Sequence, residues 1–202
     1  MIGNYIKAVA AAVSRSTAQL MKTGQTVSYR TGDDGDLERG RNVSFTVLAE
    51  NNPFGNTNRF TDELGGQTYT NNIVIDWSTY NGSTVLGWRR TLNASNINWA
   101  NSIDSALLVS ISTFTSGWRL PNIQELFSIM NWDSSFSSPY AYSPFSIGIG
   151  FTIWSSNTYN ATTAAYGVQT SSKYINAFAK TDTSSYRFIP CRTFTVTGTT
   201  LS

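Results

Sequence analysis

Twice between residues 96 and 130 the chain changes to helical spacing, while on both sides of that interval it breaks into short runs of β-like pattern. Asn122 is followed three residues on by Glu125. This is a capping-box pattern, in which the Asn side chain accepts from the Glu125 amide and the carboxylate reaches back to the Asn122 amide. A helix is predicted to start there, with Ile123, Leu126, Phe127, Ile129 and Met130 as its apolar face. Pro121 fixes the approach of the chain and Gly117 permits the turn before it. An earlier helix is predicted from Trp99, where Ala100, Ile103, Ala106 and Leu107 repeat at helical spacing behind the capping candidates Asn96 and Asn98. The flanks read as strands: "VSFTVLA" (43–49) and "NNIVIDW" (71–77) before, "FTIWSS" (151–156), "AAYGVQT" (164–170), "INAFAK" (175–180) and "YRFIPCRTF" (186–194) after. Strands, then two helices, then strands predict an α+β domain and exclude a βαβ alternation.

Residues 1–24 stand apart from this pattern. Ile2, Ile6, Val9, Val13 and Leu20 fall mostly at three-, four- and seven-residue steps away from Lys7, Arg15 and Lys22, and Gly24 closes the run. The spacing predicts an N-terminal amphipathic helix, which either packs on its own domain or serves as a docking or oligomerisation handle. It does not read as an export signal, because Lys7 and Arg15 bracket only seven uncharged, alanine-rich residues. No segment approaches the roughly 20 apolar residues that cross a bilayer, so no membrane span is expected. The chain therefore divides into a helix over 1–24 and one domain over 25–202.

The residue inventory narrows the chemistry. The 202 residues contain no histidine, which excludes Ser-His and Cys-His catalytic pairs and any ordinary zinc site. The single cysteine, Cys191, cannot form an internal disulfide and reads as a buried thiol. Formal net charge is +2, and the basic residues are scattered apart from the pair Arg89-Arg90, so no stripe exists to track a phosphate backbone and nucleic acid is not an expected partner. Paired carboxylates for glycan hydrolysis are not favoured, since Glu125 is explained as a cap and Asp104, Asp133 and Asp182 have no spacing that brings them together. Asp33, Asp34, Asp36 and Glu38 lack the spaced ligands of a calcium loop and read as a solvated turn. No metal or other cofactor is expected. What remains is a polar palette, with Ser, Thr and Asn making up about a third of the residues. Tyr140, Tyr142, Tyr159, Asn160, Tyr166 and Tyr174 are embedded in it. Stiff tyrosines among small polar residues suit a binding surface, so these six are the candidate ligand contacts.

Several stretches, in matching order along the chain, carry a resemblance to a known family. They are "KTGQTVSYRTGDDGDLERG" (22–40), "NRFTDELGGQTYTNNIVIDW" (58–77), "NWANSIDSA" (98–106), "GWRLPNIQELFSI" (117–129), "SPF" (143–145), "IWSS" (153–156) and "YRFIPCR" (186–192). Together they resemble the Lcl C-terminal domain family, a bacterial and phage domain named after the tip of a collagen-like adhesin. The resemblance covers nearly everything after residue 22. It implies a C-type lectin-like fold: a twisted antiparallel sheet and two helices supporting long loops. It also implies that Trp118, Leu120, Leu126 and Trp154 are core residues, and that Arg119 bonds to backbone or to an acidic partner beside Pro121, Asn122 and Glu125. Many relatives are exported and carry disulfides or lipid anchors; one cysteine and no recognisable export signal point instead to a phage virion protein folded in the host cytoplasm. The expected function is non-enzymatic attachment to a host-surface glycan or protein. The N-terminal helix would dock on other virion proteins, and a homo-oligomer, by analogy a trimer, would add avidity. Capsid decoration or tail joining, and a bacterial surface adhesin, are the alternatives.

Overall fold

The computed structural model of the protein describes Thr31 and residues 53–55, 58–131, 141–172 and 174–202. The N-terminal helix expected over 1–24, the strand expected over 43–49, the acidic turn at 33–38 and Tyr140 lie outside the described residues. Within them the chain is mostly β. The strands are β1 (Phe60–Thr61), β2 (Ile73–Asp76), β3 (Thr84–Arg89), β4 (Trp118–Arg119), β5 (Thr152–Thr158), β6 (Ala164–Gln169), β7 (Tyr174–Ala179), β8 (Tyr186–Arg187), β9 (Cys191–Thr197) and β10 (Thr200–Leu201). Two helices, α1 (Trp99–Leu107) and α2 (Ile123–Ser128), flank β4.

Both helices begin where side-chain caps are available. The Asn98 side chain accepts from the Asn101 amide at 2.9 Å and starts α1, so Asn98 and not Asn96 is the cap. At α2 the full capping box forms: the Asn122 side chain accepts from the Glu125 amide and the Glu125 carboxylate from the Asn122 amide, each at 2.8 Å. Helix α2 is shorter than its apolar face suggests. Ile129 is already its C-cap, and Met130 leaves the helix to bridge Ala141.

The strands form two sheets where a single one was expected. The first runs β1-β2-β3-β9-β10 with β4 on β9, and the second runs β7-β6-β5-β8. The division turns on the stretch "YRFIPCRTF", expected as one strand. Tyr186–Arg187 pairs in parallel with Thr152–Ile153 in the second sheet, while Cys191 onward pairs antiparallel with β3 and β4 in the first. Pro190 sits at the crossing. It has no N–H to give a ladder, and its carbonyl accepts from the Arg89 amide at 3.0 Å. The Thr-rich end also forms structure: after Gly198, at φ 56°, β10 folds back on β9.

Strand alternation sorts the apolar residues into three packed layers. Val74, Leu86, Trp88 and Cys191 from the first sheet join Ile153 and Val168 from the second, with Leu126, Ile129 and Met130 from around α2. The opposite face of the first sheet carries Ile73, Ile75, Val85, Trp118 and Phe194. The opposite face of the second sheet carries Trp154 and Ala165, packed with Leu120, Phe188 and Ala106 of α1. Gly87 marks the tightest contact of the second layer, since a Cβ there would lie 2.3 Å from the Phe194 ring.

Candidate functional site

The motif 117–126 sits inside the layers just described. Trp118, Leu120, Leu126 and Trp154 are all buried, the indole N–H of Trp118 donating to the Phe114 carbonyl at 2.9 Å and that of Trp154 to the Ile97 carbonyl at 3.0 Å. Arg119 makes a two-pronged pair with Glu125, at 2.8 Å and 2.6 Å. The carboxylate that caps α2 is thus also the partner of Arg119. Burial acts to raise the Glu125 pKa, but the Arg119 guanidinium and the Asn122 amide outweigh it and hold the carboxyl below its ordinary range. Cys191 is buried behind them, and burial pushes its thiol well above the ordinary range. These residues brace the frame around β4 and the start of α2.

A cleft of about 760 Å³ opens elsewhere, between the 58–69 and 142–144 segments and the end of β3. Asn58, Gln67, Thr68 and Ser143 give it amides and hydroxyls, Phe60, Tyr69 and Tyr142 give it rings, and Arg59 and Arg90 give it cations; no acid among the described residues lines it. Its size lies in the range of small-molecule sites.

The 62–69 wall is built around one carboxylate. Asp62 accepts from the amides of Leu64 (3.0 Å), Gly66 (2.7 Å), Thr68 (3.3 Å) and Tyr69 (3.4 Å) and from the Thr68 hydroxyl (3.1 Å). Burial works against these bonds, yet together they hold the Asp62 carboxyl below its ordinary value. The wrapped turn brings Tyr69 into the left-handed region, at φ 51°, a conformation a non-glycine residue keeps only when its surroundings enforce it. Its hydroxyl donates to the Phe60 carbonyl at 3.1 Å. Burial and the Asp62 charge push the Tyr69 pKa up to about 12 against the opposing effect of Arg90, so the phenol is neutral around pH 7.

The two arginines differ. Arg59 is neutralised by the fully buried Asp76, to which its Nε and Nη2 donate at 2.9 and 2.8 Å, and its guanidinium lies 4.5 Å from the Phe60 ring centre and 5.3 Å from that of Tyr142. It braces the aromatic wall. Arg90 is held by its backbone, the amide donating to Asn72 and the carbonyl accepting from Ser146, and by Nε, which donates to the Pro144 carbonyl at 2.8 Å. It lies 5.4 Å from the Tyr69 ring centre and has no acidic partner among the described residues.

Of the five candidate ligand contacts among the described residues, only Tyr142 lines this cleft. Tyr159 and Tyr166 pack edge-on against each other at 5.7 Å around the β5–β6 turn, and Tyr174 stands exposed on the edge strand β7. The Asn160 side-chain Oδ1 accepts from the Thr163 amide and hydroxyl and from the Ala164 amide. The remaining cleft residues carry weak sequence signals: Arg90 stands out only as half of the pair Arg89-Arg90, and nothing local marks Tyr69.

No group of three or more metal-ligating side chains occurs among the described residues, and no helix among them is long and apolar enough to cross a membrane. A search of curated proteins gave no match. The family model described as the Lcl C-terminal domain matches residues 78–190, more than half of the chain and inclusive of α1, α2, the motif around Trp118 and the crossing at Pro190. The chain therefore belongs to the Lcl C-terminal domain family.

Proposed function

We propose that this is a non-enzymatic attachment protein of a phage virion. In this reading a C-type lectin-like domain holds a host-surface glycan or protein, and residues 1–24 dock it on other virion proteins or on further copies of itself. The observation that carries the reading is the cleft lined by Arg59, Gln67, Arg90, Tyr142 and Ser143: amide and hydroxyl groups and one cation without an acidic partner among the described residues, on a braced wall, suit holding a polar ligand in a fixed orientation. Behind the cleft wall, Asp62 is held by loop amides and Asp76 by Arg59. Family membership supports a lectin-like or adhesin role.

Purified protein carrying a fluorophore should bind cells of the strain on which the particles grow, and in excess it should slow particle adsorption. Removal of residues 1–22 should abolish incorporation into particles while the remaining domain still folds. Failure to bind cells, with adsorption unchanged in a deletion strain, would overturn the attachment role.

A further inference from the structure

We propose that the cleft selects a saccharide bearing a carboxylate, with Arg90 as the carboxylate clamp; this rests on the attachment reading above. Of the two cations that line the cleft among the described residues, Arg59 is matched by Asp76 with both prongs of a planar pair, whereas Arg90 makes no ion pair with a described acid. One open guanidinium suits one monoanionic group. A densely sulfated chain would need several open cations, and no other cation among the described residues lines the cleft.

Geometry narrows the anion further. The Arg90 Nε is spent on the Pro144 carbonyl, and its backbone is pinned at both the amide and the carbonyl. The guanidinium plane is therefore set before any ligand arrives, leaving the terminal Nη1 and Nη2 groups as a pair of donors. Two parallel N–H bonds from a planar fork match the two oxygens of a carboxylate, and pre-setting the fork removes much of the ordering cost of binding. The rest of the lining suits a sugar: the exposed side chains of Gln67 and Ser143 offer both donors and acceptors to its hydroxyls. The cleft volume of about 760 Å³ is far more than one ion fills and accommodates a short oligosaccharide.

The test is titration calorimetry on the full chain with trigalacturonate and 3′-sialyllactose, with the methyl ester of each, and with a dextran sulfate oligomer. At least one of the free acids should bind, and esterification should weaken it roughly 10- to 100-fold, as expected for loss of a charged hydrogen-bonded pair. Arg90→Gln should lose binding by a similar factor, and Arg90→Lys, which keeps the charge without the fork, by about tenfold. Leu108→Ser, at an exposed position outside the cleft, should bind as wild type. Melting curves accompany each variant, and if Arg90→Gln does not fold then Arg90→Lys carries the comparison. Equal binding of acid and ester, binding of neither acid, preference for dextran sulfate, or undiminished affinity in the folded Arg90 variants would each overturn the proposal. If wild type and the Arg90 variants bind cells equally well, attachment stands and the carboxylate clamp falls. If wild-type protein binds no cells, the attachment reading fails with it.

Discussion

Gly87 has ordinary backbone angles, so its role is spatial. A methyl group there would sit 2.3 Å from one carbon of the Phe194 ring and 3.0 Å from the Ile75 side chain. The ring cannot swing aside, being packed near-perpendicular against Phe114 at 4.8 Å and Trp118 at 6.1 Å. Gly87→Ala should therefore destabilise the fold by about 1–3 kcal/mol, the usual cost of over-packing, and lower the melting temperature by about 2–4 °C per kcal/mol in calorimetry. In a Phe194→Leu background, where room has been made, the same change should cost clearly less; equal costs in both backgrounds would contradict the steric account. Arg59 supplies the complementary case. Its pairing with Asp76 spans 17 residues and that of Arg90 with Pro144 spans 54, so neither arginine shows its role in local sequence.

At the scale of elements, six residues of helix such as α2 cannot persist by propensity alone. The capping box, the Arg119–Glu125 pair and the burial of Leu126 hold it. Asn122→Ala should cost about 1 kcal/mol through loss of one cap bond. Glu125→Ala should cost more, roughly 1–3 kcal/mol, because it also strips the Asn122 amide and half-buried Arg119 of their acceptor. The double variant should fall short of the sum in chemical denaturation, since both substitutions remove the same box. These helices were legible because caps and 3.6-residue spacing are local signals: Asn98, Trp99, Asn122 and Glu125 carry them within a few residues. The division into two sheets was not legible. "YRFIPCRTF" has the composition of one strand, and only the partners 34 or more residues away decide that Tyr186 joins Thr152 and Cys191 joins Trp88. The tyrosines of 140–174 read as one surface by composition, yet the β5–β6 turn draws Tyr159 and Tyr166 together, and among the described ones only Tyr142 is at the cleft.

Over the whole molecule, titration should narrow stability from both ends. Glu125 and Asp62 have folded pKa values below their ordinary 4.5 and 3.8. Their contribution is complete above those ordinary values and is lost as pH falls through the lower, folded ones, so the melting temperature should drop on acidification below about 4.5. Glu125→Gln should flatten part of that slope. Tyr69 and Tyr186 behave in the opposite sense, raised from 10.0 to about 12, so what they contribute is present below pH 10 and disappears between pH 10 and about 12. A thermal melt series across both windows checks the two signs independently, and a melting temperature independent of pH in the acid window would contradict the first.

Strand β9 lies between β3 on one side and β4 and β10 on the other, and at Pro190 it runs directly into the segment that ties the two sheets together. Tension applied at the Leu201 end would first peel away the short β10 hairpin. It would then have to slide β9 lengthwise past β3, breaking the bonds from Thr84↔Thr195 to Trp88↔Cys191 together instead of unzipping them one by one. Pulled along that direction, the domain should resist as a shear joint, yielding abruptly at high force with a small early step from β10.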